Sequence, residues 1–149
     1  MINVRFAIPD DAADIVEFQL KMALETESLT LNPDIVRKGV AAVFEDNSKG
    51  KYLVAEYDGE VVSSMMLTTE WSDWRNNTFL WIQSVYVMPD FRKTGIFRKM
   101  YEFVKVMVEN SPEYAGLRLY VEVNNNKAQE VYNRLGMTGE HYRMFEWEK

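Results

Sequence analysis

The residues best placed to do chemistry are Arg92, Lys93, Thr94 and Gly95, a basic stretch with a single glycine. It follows a β-branched and aromatic run from Phe79 to Val87, broken by Pro89 and Asp90. It precedes Ile96, Met100, Phe103, Val104, Met107 and Val108, which recur at helical spacing. A helix that starts there offers free backbone N–H groups and the positive end of its dipole, and both attract an anion such as phosphate. Arg92 and Lys93 stand beside that helix start on a chain whose formal net charge is −6. Local positive charge on an acidic protein points to an anionic ligand. The plainer reading is a glycine at a helix start between solvated charges.

Composition narrows the chemistry. The chain has 149 residues, 47% hydrophobic and 27% charged, which fits one globular domain over residues 1–149. With no cysteine, disulfides, thiolate metal sites and a cysteine nucleophile are excluded. One histidine, His141, and no ligand cluster lead us to expect no metal. The acidic balance argues against nucleic acid as the main partner. No apolar run has the length of a membrane span, and Met1 to Arg5 does not open a signal peptide. A cytoplasmic location is the expectation.

The elements that must position the basic stretch are read in order. Ile2, Val4, Phe6 and Ile8 alternate as a first strand. Pro9-Asp10-Asp11 stops it and starts a helix with Ala12, Ile15, Phe18 and Met22 on one stripe. Asn32-Pro33 reads as the cap and first residue of a second helix through Val36, Val40, Val43 and Phe44. Strands Lys51 to Tyr57 and Glu60 to Thr69 flank Asp58-Gly59, a two-residue hairpin turn. Glu70 to Asn77 reads as a polar and aromatic loop, in which Trp71 and Trp74 could pack or touch a substrate. After the Phe79 to Met88 strand and its helix, Leu117, Leu119, Val121 and Val123 alternate as a strand. Asn124 to Asn126 caps a helix from about Lys127 to Leu135, with Gly136 beyond its end. Met144, Phe145 and Trp147 belong to a last strand. The fold class is mixed α/β, with one sheet of six to seven strands and helices on both faces.

Two segments resemble the GNAT family of N-acetyltransferases. The family's loop, Gln/Arg-x-x-Gly-x-Gly/Ala, is matched at Arg92 and Gly95, while Phe97 stands where the family has Gly or Ala. The family's Asn-x-x-Ala-x-x-x-Tyr-x-x-x-Gly-Phe is matched at Asn125, Ala128, Tyr132 and Gly136, with Met137 for the last residue. The opening Arg5 to Ala12 also looks like the family's start, so the resemblance covers nearly the whole chain. It implies acetyl-CoA as cosubstrate and an amine as acceptor, beside the expectation from composition of no metal, no nucleic acid and no membrane. A homodimer stays open.

The same resemblance assigns roles. Arg92, Lys93, Thr94, Gly95, Ile96 and Phe97 would cradle the CoA pyrophosphate. Backbone groups of Val85, Tyr86 and Val87 would meet the thioester and pantetheine arm, as would Asn125. Tyr132 would protonate the departing thiolate. Gln83 holds the position where many members place a glutamate base, and an amide cannot take that proton. Glu25, Glu27, Glu70, Asp73 and Glu122 are the alternatives, with Glu27 and Glu70 ranked first. Acidic residues around the first two helices and the Trp71 stretch favour a cationic acceptor. A non-catalytic acyl-CoA-binding domain is the rival reading.

Overall fold

Period-two alternation in Tyr52-Leu53-Val54-Ala55 sends neighbouring side chains to opposite sides, and every one of them is buried. A strand with that pattern needs cover on both faces. The computed structural model, which describes residues Met1–Lys149, supplies it. Tyr52 and Val54 cluster with Ile15, Phe18, Val40 and Val43 of α1 (Ala12–Glu27) and α2 (Pro33–Glu45). On the other face lies α3 (Ile96–Glu109), which buries Ile96, Met100, Tyr101 and Val104. Its Phe103 ring meets Phe6 edge-on at 5.8 Å, and Met100 Sδ accepts from Ser63 Oγ at 3.2 Å.

The sheet has five strands in the order β1-β2-β3-β4-β5. They are β1 (Ile2–Phe6), β2 (Lys51–Tyr57), β3 (Glu60–Ser72), β4 (Asn77–Val87) and β5 (Tyr114–Arg118). All neighbours are antiparallel except β4 and β5, which run parallel and are joined through α3. The chain divides into two compact units, Met1–Arg118 and Leu119–Lys149. The sheet and the first three helices make the first. The second holds α4 (Asn126–Arg134).

Local signals are realised closely. Asn32 Oδ1 accepts from the Asp34 and Ile35 N–H groups at 2.9 and 3.4 Å, with Pro33 at the first helical position. Asp58 and Gly59 both have positive φ (48° and 85°), as the tight hairpin turn requires. Asn125 Oδ1 accepts from Ala128 N–H at 3.1 Å. At the other end of α4, Gly136 (φ 90°) donates to Asn133 O and Met137 N–H donates to Tyr132 O, a Schellman closure.

Four expectations are corrected. The strand total is five, not six to seven. Met144, Phe145 and Trp147 lie outside any strand and are exposed. Alternation states that a segment suits a sheet face; it does not provide the neighbouring edge that pairs with it. The strand expected at Leu117 to Val123 is displaced, ending at Arg118 and starting at Tyr114. Gly116 has no side chain to alternate, yet it belongs there because a Cβ would come within 3.2 Å of the Phe79 ring. Glu122 is therefore in a turn, accepting from Asn124 N–H at 2.9 Å, and not on a strand. Finally, Glu70, Trp71 and Ser72 extend β3 and pair with Phe79, Thr78 and Asn77, so the expected loop shrinks to a hairpin tip. Trp71 and Trp74 are exposed there, Trp74 by 89%, which removes the packing reading.

Candidate active site

The site is built on an irregularity in β4. Ser64 pairs with Tyr86 and Met66 with Gln83, so β4 spends one more residue than β3 over that interval. The extra residue is taken up at Ser84, whose φ is +54°. Left-handed backbone costs an L-residue roughly 1–2 kcal/mol, and a bulge leaves backbone polar groups without ladder partners. Pairing with β5 also ends at Trp81 opposite Arg118. From Ile82 to Val87, that edge of β4 therefore has no strand partner. Val85, Tyr86 and Val87, the residues assigned to the thioester and pantetheine arm, lie on this open edge.

The loop after β4 completes the arrangement. A 3-10 turn, Pro89–Phe91, leads to Arg92 in extended conformation. Lys93 (φ 63°) and Gly95 (φ 86°) are both left-handed. Gly95 caps α3 without any side-chain hydrogen bond, and no acidic residue occupies the helix's first turn. A Cβ at Gly95 would meet nothing within 4 Å, so the space before the helix start is open. Unpaired N–H groups, an open approach and the cation of Lys93 suit a diphosphate. Ile96 is buried beneath the loop. Thr94 Oγ1 is turned inward, donating to Phe91 O. Phe97 is half-buried, its ring 6.4 Å from that of Tyr101 one turn on. The ring is directed along the helix, and its backbone N–H stays at the helix start.

Arg92 is tied down. Its Nε donates to Val87 O at 2.9 Å and its Nη2 to Glu25 Oε2 at 2.7 Å, while its guanidinium lies 5.4 Å from the centre of the Tyr86 ring. Glu25 Oε1 accepts from the Tyr86 hydroxyl at 3.2 Å, and that ring stacks on Phe18 at 5.1 Å. The Arg92 hydrogen bond holds the Glu25 carboxyl below its usual range. Burial, and then the Glu25 charge, pushes the Tyr86 hydroxyl up. Glu25 is thus the carboxylate placed against the bulge and the loop. One sequence has no local signal for this contact, because it spans 67 positions.

The other candidate bases sit elsewhere. Glu27 is exposed at the end of α1. Glu70 Oε1 accepts from Arg118 Nη1 at 2.6 Å and from Trp81 Nε1 at 3.1 Å, and these bonds lower its pKa. Arg118 was missed by sequence reasoning. The signal was a charge within an apolar run, which needs a partner on the neighbouring strands. It lies 3.6 Å from the Phe79 ring centre, with Arg75 at 4.9 Å. Gln83 Nε2 donates to Thr68 Oγ1 at 3.4 Å. In the second unit, Tyr132 is partly buried on α4, and burial raises its hydroxyl pKa, which keeps it protonated at neutral pH. No cluster of three or more His, Asp or Glu side chains is arranged for a metal, and no helix is long and apolar enough to cross a membrane.

Comparison with known proteins bears on the fold and the family. A crystal structure of a possible acetyltransferase from Clostridium difficile 630 shares 42% identity at a TM-score of 0.93, covering 100% of this chain and 98% of that one. The ribosomal-protein-alanine N-acetyltransferase of Brucella melitensis biovar Abortus 2308 has 13% identity and a TM-score of 0.81, with both chains covered completely. Glucosamine-6-phosphate N-acetyltransferase from Arabidopsis thaliana has 16% identity and a TM-score of 0.76, over 100% of this chain and 99% of that one. At such identities the last two speak for the fold alone. No curated protein matches the sequence. The model of the acetyltransferase (GNAT) family matches residues 18–137, across the bulge, the loop and α4, and the chain belongs to that family.

Proposed function

We propose that this chain is an N-acetyltransferase, with residues 1–149 acting as one domain in the cytoplasm, that passes an acetyl group from acetyl-CoA to a primary amine by direct attack in a ternary complex. The observation that carries this reading is the open edge of β4 after the Ser84 bulge, continuous with the cradle at Lys93 and Gly95. Acetyl-CoA, when bound, supplies the activated thioester. Arg92, Lys93, Gly95, Phe97 and the other N–H groups of the loop hold its phosphates, and the backbone of Val85 to Val87, with Asn125, aligns its arm. Donors already fixed in place stabilise developing charge without reorganising. The acceptor's proton goes to water or to a carboxylate, for which Glu27 is exposed and unclaimed by an arginine, whereas Arg118 holds Glu70 charged. Tyr132, protonated, returns a proton to the thiolate.

A second reading, a non-catalytic acyl-CoA sensor, is favoured by Gln83, whose amide donates to Thr68 and offers no base. A thermal-shift titration followed by a thiol-release assay with an amine panel separates the two. The enzyme reading expects stabilisation by millimolar acetyl-CoA and thiol release with at least one amine. Stabilisation without release on any amine favours the sensor, and no stabilisation sinks both.

A further inference from the structure

Arg92 has donors to spare. Nε and Nη2 are engaged by Val87 O and Glu25 Oε2, and both bonds lie along one edge of the planar fork. Nη1 makes no hydrogen bond, and the side chain is 43% exposed. A guanidinium fixed along one edge has lost its rotamer freedom before any ligand arrives, so less entropy is lost per bond formed. What fixes it is Glu25, from the last turns of α1, and Glu25 is itself steadied by the Tyr86 hydroxyl. The charged groups facing Glu25 are Arg92 from the loop and Lys21 from its own helix, with the Tyr86 hydroxyl from β4, and Lys21 is committed to Glu17 at 2.7 Å.

Resting on the acyl-CoA reading above, we propose that Glu25 is the positioning residue for cofactor binding. It holds Arg92 against the end of β4 so that the free Nη1 corner meets the ligand's phosphate, and so makes the first helix part of the cofactor site. This is a different role from base. A carboxylate kept charged by an arginine at 2.7 Å is a poor proton acceptor, and its loss should be read in affinity.

The test is a double-mutant cycle on acetyl-CoA affinity, measured by calorimetry with Glu25→Gln, Arg92→Ala and both together. Arg92→Ala should weaken binding about tenfold or more, and Glu25→Gln about fivefold, as exposed charge-assisted contacts allow. The double variant should bind no worse than Arg92→Ala, because Glu25 acts only through that side chain. Arg92→Lys gives a second arm. It keeps the charge but cannot fork between Val87 O and Glu25, so it should also bind more weakly than wild type. With an accepted amine, the Glu25→Gln defect should fall on the acetyl-CoA KM. Losses that multiply in the double variant overturn the proposal, as does Glu25→Gln binding as tightly as wild type. A defect confined to kcat would make Glu25 the amine's base and overturn it equally. If wild type itself fails to bind acetyl-CoA, it is the acetyltransferase reading that falls.

Discussion

Gly95 is the residue whose backbone the loop could least replace. Its φ of 86° is open to glycine and costly for other residues, yet a methyl group there would touch nothing within 4 Å. Gly95→Ala isolates the conformational cost, on the order of 1–2 kcal/mol. The melting temperature should fall by several degrees, and acetyl-CoA affinity should fall with it. Unchanged affinity would show that the cradle does not need this conformation. Tyr132→Phe asks a different question, because it keeps the ring and removes only the hydroxyl. General-acid help is worth about 10²–10⁴-fold, so turnover should collapse while acetyl-CoA affinity holds. Turnover within about threefold of wild type would make Tyr132 a packing residue.

Among the elements, the helix caps follow local chemistry and can be tested locally. Asn32→Ala removes the acceptor for two N–H groups of α2 and should cost about 1 kcal/mol, read by chemical denaturation. Asn32, Asp58-Gly59, Asn125 and Gly136 were all legible in the sequence for the same reason. Each solves a problem within a few residues of itself. The contacts that shape the site were not legible, because they depend on register. Ser84 is no obvious bulge residue, being neither glycine nor asparagine, and only the pairing of Ser64 with Tyr86 and Met66 with Gln83 exposes it. Glu70 looked like a loop carboxylate free to act as a base. It became a strand residue held by Arg118 once Tyr114–Arg118 paired alongside β4. Phe97 was legible only as a departure from the small residue that the family loop carries, and the structure half-buries its ring.

For the molecule as a whole, the main charge cluster lies where β1, β2 and the Pro9–Asp11 turn converge. Arg5 donates to both oxygens of the buried Asp11, at 2.8 and 3.0 Å, and to Glu56 Oε1 at 2.6 Å. Asp11 Oδ2 also accepts from Ile8 N–H at 2.8 Å. The Arg5 hydrogen bonds lower the Asp11 pKa in the folded chain. A carboxylate with a depressed folded pKa stabilises fully above its unfolded value, about 3.9, and that share is lost as pH falls through the folded value. Wild type should therefore lose stability on acidification below about pH 4, and Asp11→Asn should flatten that part of the curve. At neutral pH the substitution should cost about 1–3 kcal/mol, below a fully buried pair because Arg5 keeps Glu56 and some water. Equilibrium unfolding across pH measures both, and equal slopes for the two proteins would remove Asp11 from the account.

The surplus residue at Ser84 also changes the phase of its strand. Upstream, odd-numbered positions share the side of the sheet that α1 and α2 cover, as Met66 opposite Gln83 and Glu70 opposite Phe79 require. Downstream it is the even-numbered Tyr86 that stacks on Phe18, while Val87 lies opposite Ser63 on the α3 side. Gln83, which donates to Thr68, and Tyr86, which donates to Glu25, can therefore share one side of the sheet only because the count slips between them. No side-chain substitution at Ser84 undoes that slip, but deleting the residue does. A chain shortened there must turn either Gln83 or Tyr86 away from the side of the sheet that α1 and α2 cover. The two halves of the site are kept in step by one residue's presence and not by its chemistry.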